Sequence, residues 1–89
     1  MRIRRRAIVR GHVQGVYFRD TTREAAEARG VTGWAANLPD GTVELVLEGT
    51  TEDVEAVLAI ARTGPPDARV EAMDVAEERP EGLSDFRAL

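Results

Sequence analysis

Between Ile3 and Arg10 apolar and basic side chains alternate. Ile3, Ala7 and Val9 share one parity and Arg4, Arg6 and Arg10 the other, the pattern of a strand with one dry and one wet face. Ile8 and Arg5 are its two exceptions. Gly11 to Phe18 carries two glycines and no helical stripe, and so reads as a loop. From Arg19 to Arg29 the period becomes helical: Phe18, Thr22, Ala25, Ala26 and Arg29 share a face, Arg23 and Glu27 stand one turn apart as an ion pair, and Gly30 is a terminator. Val31 to Asn37 is a second strand. Leu38-Pro39-Asp40-Gly41 is a turn, because Pro fixes φ and Gly accepts a positive one. Thr42 to Glu48 alternates Val43, Leu45 and Leu47 against Glu44, Val46 and Glu48 and completes a hairpin. Thr50 and Asp53 have capping-box spacing, Val54, Val57, Leu58 and Ala61 form a helical stripe, and Gly64-Pro65-Pro66 ends it. Ala68 to Glu77 is a last long strand whose parity slips between Val70 and Met73, which calls for a bulge. Residues 83–89 offer a short edge strand with Phe86 turned inward.

The order β-α-β-β-α-β is the ferredoxin-like split βαβ sandwich, an α+β fold. It predicts an antiparallel four-stranded sheet, with room for a short fifth strand, and two helices on one face. Residues 1–89 are expected to form a single domain. In this topology strands one and two run parallel with strand three between them. The loop after strand one and the end of strand two therefore meet at one end of the sheet, about 10 Å apart. Arg19 and Asn37 occupy those two places, and a phosphate with one water fits the gap.

Composition narrows the chemistry. With 89 residues there is one core and no second. No apolar run reaches the length of a membrane span, and the Arg-rich start lacks the apolar stretch of a signal peptide, so a cytoplasmic protein is expected. Cysteine is absent and His12 is the single histidine, which excludes disulfides, thiolate nucleophiles and multi-histidine metal sites. A net charge of −4 argues against nucleic acid as a partner. Asn37 and Gln14 are the only two side-chain amides, and this depletion, with the missing cysteine, matches a heat-stable protein.

A glycine-containing loop that runs into a helix start presents several N–H groups in one direction, at the positive end of the helix dipole. Arg19 adds a planar fork of donors that fits two phosphate oxygens. By itself the loop equally describes a tight connection followed by a helix-capping arginine.

The segment Gly11-His12-Val13-Gln14-Gly15-Val16-Tyr17-Phe18-Arg19 resembles the G-x-V-Q-G-V-x-F-R signature of the acylphosphatases. Gly30 to Glu44, GVTGWAANLPDGTVE, resembles their second signature, G-x-x-G-W-x-x-N-x-x-D-G-x-V-E. Every fixed position of both patterns is matched. The resemblance implies hydrolysis of a carboxyl–phosphate anhydride to carboxylate and inorganic phosphate, with no metal and no cofactor. It further implies that Arg19 and the loop amides of Gln14, Gly15, Val16, Tyr17, Phe18 and Arg19 bind the phosphoryl group, and that Asn37 holds the attacking water. The chemistry agrees: a loose phosphoryl-transfer transition state asks for positioning and charge stabilisation, and a carboxamide orients water without titrating.

The remaining motif residues have plainer readings. His12 is a solvated loop position, and Gln14 either braces the loop or is exposed. Tyr17 and Phe18 are expected as packing anchors and Trp34 as a large packing residue. Arg4, Arg6 and Arg10 form a solvated basic stripe that Glu44 and Glu48 face as exposed partners of little energetic weight. Two rival functions are an anion-binding regulatory module on the same fold and an RNA-binding domain of similar topology; the second lacks stacking aromatics on its sheet. The expected partner is a small acyl phosphate, with no nucleic acid and no membrane, and the expected state is a monomer. Met1 at the start and no linker before Leu89 favour a free-standing enzyme.

Overall fold

The structure, a computed structural model, describes residues 1–89. Its elements are β1 (Arg2–His12), α1 (Phe18–Ala28), β2 (Thr32–Asn37), β3 (Val43–Thr50), α2 (Thr51–Thr63), β4 (Arg69–Glu78) and β5 (Phe86–Ala88). Five strands form one sheet in the order β4-β1-β3-β2-β5. β1 runs antiparallel to both β3 and β4, and β2 antiparallel to β3, while β5 lies parallel to β2.

The short fifth strand that residues 83–89 offered is formed as β5, and because it runs parallel to β2 the sheet is mixed rather than purely antiparallel. The cause is the connection 79–85, which carries the chain from β4 at one edge to β5 at the other. It delivers β5 beside β2 pointing the same way, with Gly33 opposite Phe86 and Ala35 opposite Ala88.

Both helices pack on one face over a core built from Ala7, Val9, Val43, Leu45 and Leu47 of the sheet, Phe18 and Ala26 of α1, and Val54, Val57, Leu58 and Ala61 of α2. Burying such side chains is worth roughly 1.5–3 kcal/mol each for the larger ones, the main force holding helices to sheet. α2 starts where the pattern places it: Thr50 Oγ1 accepts the N–H of Asp53 at 3.1 Å. In α1, Arg23 pairs with Asp20 at 3.4 Å rather than with Glu27.

The parity slip in the last strand is a bulge. Arg10 pairs with Ala72 but Gly11 with Val70, so Glu71 is the extra residue. Gly11 permits it, because a Cβ there would sit 2.1 Å from the carbonyl oxygen of Arg69. The bulge bends β4 and increases the local twist where it pairs with the end of β1.

Candidate functional site: an amide-lined loop beside a strand end

The loop between β1 and α1 is pinned from inside. Val13, Val16 and Phe18 are all buried in the core, so the intervening backbone is pushed outward. Two residues take left-handed conformations to allow this, Gly15 at φ +75° and Tyr17 at φ +65°. Tyr17 is the one non-glycine residue of the chain with positive φ, and its side chain is 76% exposed. It is thus not the packing anchor expected from its neighbour Phe18: the left-handed backbone turns the ring to solvent.

The consequence for the backbone is specific. From Gln14 to Arg19, no main-chain N–H donates to a protein acceptor; the first that does is Thr21, to the carbonyl of Tyr17 at 3.0 Å. α1 has no side-chain cap at its N-terminus, whereas α2 has Thr50. The orphan donors of the first turn, aligned with the positive end of the helix, remain available to an anion.

Gln14 ties this loop to the β2–β3 turn. Its Nε2 donates to the carbonyl of Leu38 at 2.8 Å and to that of Thr42 at 2.9 Å. Asn37, exposed at the last position of β2, directly precedes Leu38. The turn itself is held by Asp40, whose Oδ1 accepts from the Thr42 hydroxyl at 2.6 Å and from its N–H at 3.0 Å. Of the two readings left open for Gln14, the brace is the one observed.

A cavity of about 310 Å³ lies at the loop, lined by Val13, Gly15, Tyr17, Phe18, Arg19 and Asp20. Asn37 is not among its lining residues, and Val16 faces the core. The Arg19 guanidinium donates through Nη1 to the main-chain oxygen of Leu89. Leu89 in turn donates its N–H to the carbonyl of Ala35 at 2.8 Å, two residues before Asn37. Arg19 and Asn37 are therefore joined to the same end of β2 by two routes, Gln14 on one side and Leu89 on the other. The role of Leu89 had no signal in the sequence, since the pairing of β5 with β2 decides it. No group of three or more His, Cys, Asp or Glu side chains is arranged to hold a metal ion.

The open face of the sheet departs from the expected solvated stripe. Arg4 is only 2% exposed and Glu48 is fully buried, so their contact at 3.0 Å is a buried ion pair. Arg4 also reaches Glu78 at 2.8 Å, and Arg6 bridges Glu78 at 2.7 Å and Glu44 at 2.6 Å. Trp34 lies beneath both guanidiniums, with ring-centroid distances of 5.4 and 5.9 Å, and donates its indole N–H to Glu44. Burial pushes the Glu48 carboxyl upward, but the N–H groups of Glu81, Leu83 and Gly82 together with Arg4 outweigh it and hold it at about 2. Arg6 and Arg4 hold Glu78 at about 2 as well. Parity placed these residues on the correct face; what it could not show is that Trp34 and the 79–85 connection cover that face.

A ferredoxin-like α+β sandwich whose strand-to-helix loop offers a row of free amides beside an arginine is an arrangement that can accept a small oxyanion. The acylphosphatase family profile matches residues 5–88. An acylphosphatase of Gloeobacter violaceus is 53% identical over 87 residues, covering 98% of this chain and 94% of that protein. Solved structures show the same fold: the crystal structure of the acylphosphatase from Bacillus subtilis superposes with a TM-score of 0.94 at 34% identity, covering 98% of each chain. An acylphosphatase structure from Coxiella burnetii gives 0.94 at 38% identity, covering 99% of this chain and 93% of that one. The chain belongs to the acylphosphatase family.

Proposed function

We propose that the chain hydrolyses acyl phosphates by immobilising the phosphoryl group and aiming one water at it. The observation that carries this reading is the unpaired row of amides from Gln14 to Arg19, sewn through Gln14 to the strand end that bears Asn37. Together with the Arg19 fork, these donors surround the equatorial oxygens where charge gathers in a loose transition state. The Asn37 carboxamide accepts one hydrogen bond from water and directs its lone pair to phosphorus, opposite the departing carboxylate. The P–O bond to the acyl group breaks as the new P–O bond forms, leaving carboxylate, inorganic phosphate and a proton. A carboxylate leaves readily, so the reaction needs no strong general acid and fixing the reactants supplies most of the rate.

Rates on benzoyl and acetyl phosphate in excess chelator test the proposal. Arg19→Ala is expected to weaken phosphate inhibition and abolish useful turnover. Asn37→Ala is expected to abolish turnover while phosphate still inhibits or binds. An Asn37→Ala enzyme with near-wild-type rate would remove water orientation from the mechanism. Loss of rate in chelator, restored by metal, would overturn the metal-independent reading, and phosphate binding without hydrolysis would select an anion-binding module instead. A monomer at work in the cytoplasm, with no nucleic-acid partner, completes the proposal; the negative net charge supports its last part. No helix is long and apolar enough to cross a membrane.

A further inference from the structure

The connection 79–85 crosses from one edge of the sheet to the other, and one side chain grips it midway. Glu48, on the central strand β3, accepts the N–H of Glu81 on Oε2 at 2.8 Å, and those of Gly82 and Leu83 on Oε1 at 3.0 and 3.1 Å. Arg4 Nη1 fixes the same carboxylate from the side at 3.0 Å. Three successive amides on one buried carboxylate form a clamp, and a single residue of the chain provides it. Beyond the clamp the strap becomes β5, only three residues long. Such a short strand holds its place weakly unless its entry is fixed. The main-chain carbonyl of Asp85 accepts the N–H of Gly33 at 2.9 Å, the N–H of Leu89 donates to the carbonyl of Ala35, and the main-chain oxygen of Leu89 accepts from the Arg19 guanidinium. The pairing of β5 with β2 sets the position of that oxygen, and the clamped strap fixes how the chain enters that pairing.

We infer that Glu48 is a positioning residue for the oxyanion site, acting through the 79–85 strap and Leu89 to hold Arg19 in register with the loop amides. The inference rests on the assignment of Arg19 as phosphate ligand. Glu48 lines no part of the cavity at the loop. Its effect travels through main-chain hydrogen bonds, and it differs from general stabilisation because it ends on one guanidinium. A residue that merely stabilised the fold would change the folded fraction and leave the properties of folded molecules unchanged.

The test is Glu48→Gln, which keeps the shape but replaces one acceptor oxygen with an N–H₂ facing Arg4 and the N–H of Glu81. A second variant, Glu81→Pro, removes one strap donor and the Glu81 carboxylate 3.5 Å from Arg4, but leaves the Glu48–Arg4 pair in place. Both are assayed well below their melting temperatures, with the folded fraction checked by circular dichroism. In fully folded protein the inhibition constant of inorganic phosphate is expected to rise about tenfold, with a fall in kcat/KM on benzoyl phosphate. In an Arg19→Ala background the same changes should add little, because coupled residues are not additive. If folded Glu48→Gln and Glu81→Pro bind phosphate like wild type while Arg19→Ala does not, the positioning role is wrong and the Arg19 assignment stands. If the effect persists undiminished without the Arg19 guanidinium, Glu48 does not act through it. If Arg19→Ala itself leaves phosphate binding unchanged, the ligand assignment falls and this inference falls with it.

Discussion

Replacing Gln14 with alanine cuts the link between the β1–α1 loop and the Asn37 strand end. It removes hydrogen bonds of 2.8 and 2.9 Å to the carbonyls of Leu38 and Thr42. A neutral hydrogen bond contributes about 0.5–1.5 kcal/mol net, so two are worth about 1–3 kcal/mol. The upper part of that range is not expected. Each carbonyl keeps a second donor, Gly41 N–H to Leu38 at 3.1 Å and Leu38 N–H to Thr42 at 2.9 Å, so neither is left unsatisfied. A loss of about 1–2 kcal/mol follows. Guanidinium unfolding should show it as a lower midpoint with unchanged slope. Turnover should suffer more than stability, since a shift of about 1 Å between loop and strand end costs on the order of a hundredfold in rate. The discriminating comparison is the rate on benzoyl phosphate beside the unfolding midpoint of the same preparation. A Gln14→Ala protein with wild-type midpoint and wild-type rate would mean that the loop is held elsewhere and the bridge is incidental.

Three further outcomes are expected. The Glu48 carboxyl is depressed in the folded state from 4.5 to about 2, so it stabilises the fold fully above pH 4.5 and ceases to do so as pH falls toward 2. At 1.36 kcal/mol per pH unit that is about 3 kcal/mol, and equilibrium unfolding of Glu48→Gln should lose most of this part of the acid sensitivity. Thr50→Ala removes the cap on α2 and should lower unfolding free energy by about 1 kcal/mol, measured by denaturant titration. Tyr17→Val should lower the melting temperature although the site is exposed, because a branched side chain at φ +65° adds about 1 kcal/mol of strain; Tyr17→Gly should not.

Much of the fold was legible because its signals are local. Val54, Val57, Leu58 and Ala61 are buried as their spacing requires, and the parity slip in β4 marked a real bulge. The two signatures put Arg19 and Asn37 at the same end of the sheet because βαβ topology leaves no other arrangement. What was not legible depends on contacts remote in sequence. A three-residue strand has no pattern of its own, so its parallel pairing with β2 is set by the strap that delivers it. Alternation gives the face on which Arg4 and Glu48 lie, but not what covers that face. Tyr17 was misjudged for a different reason: its backbone conformation, not its hydrophobicity, decides where the ring goes.

The order β4-β1-β3-β2-β5 leaves two bare margins to the sheet, and they are unequal. The β5 margin spans three residues, too few to template a second chain. The β4 margin is ten residues long, with Glu71, Asp74, Glu77 and Glu78 spread along it and the kink at Glu71 twisting one end away. Charged side chains along this margin, most of them already engaged by arginines of β1, and the twist at its end leave little for a second chain to pair with.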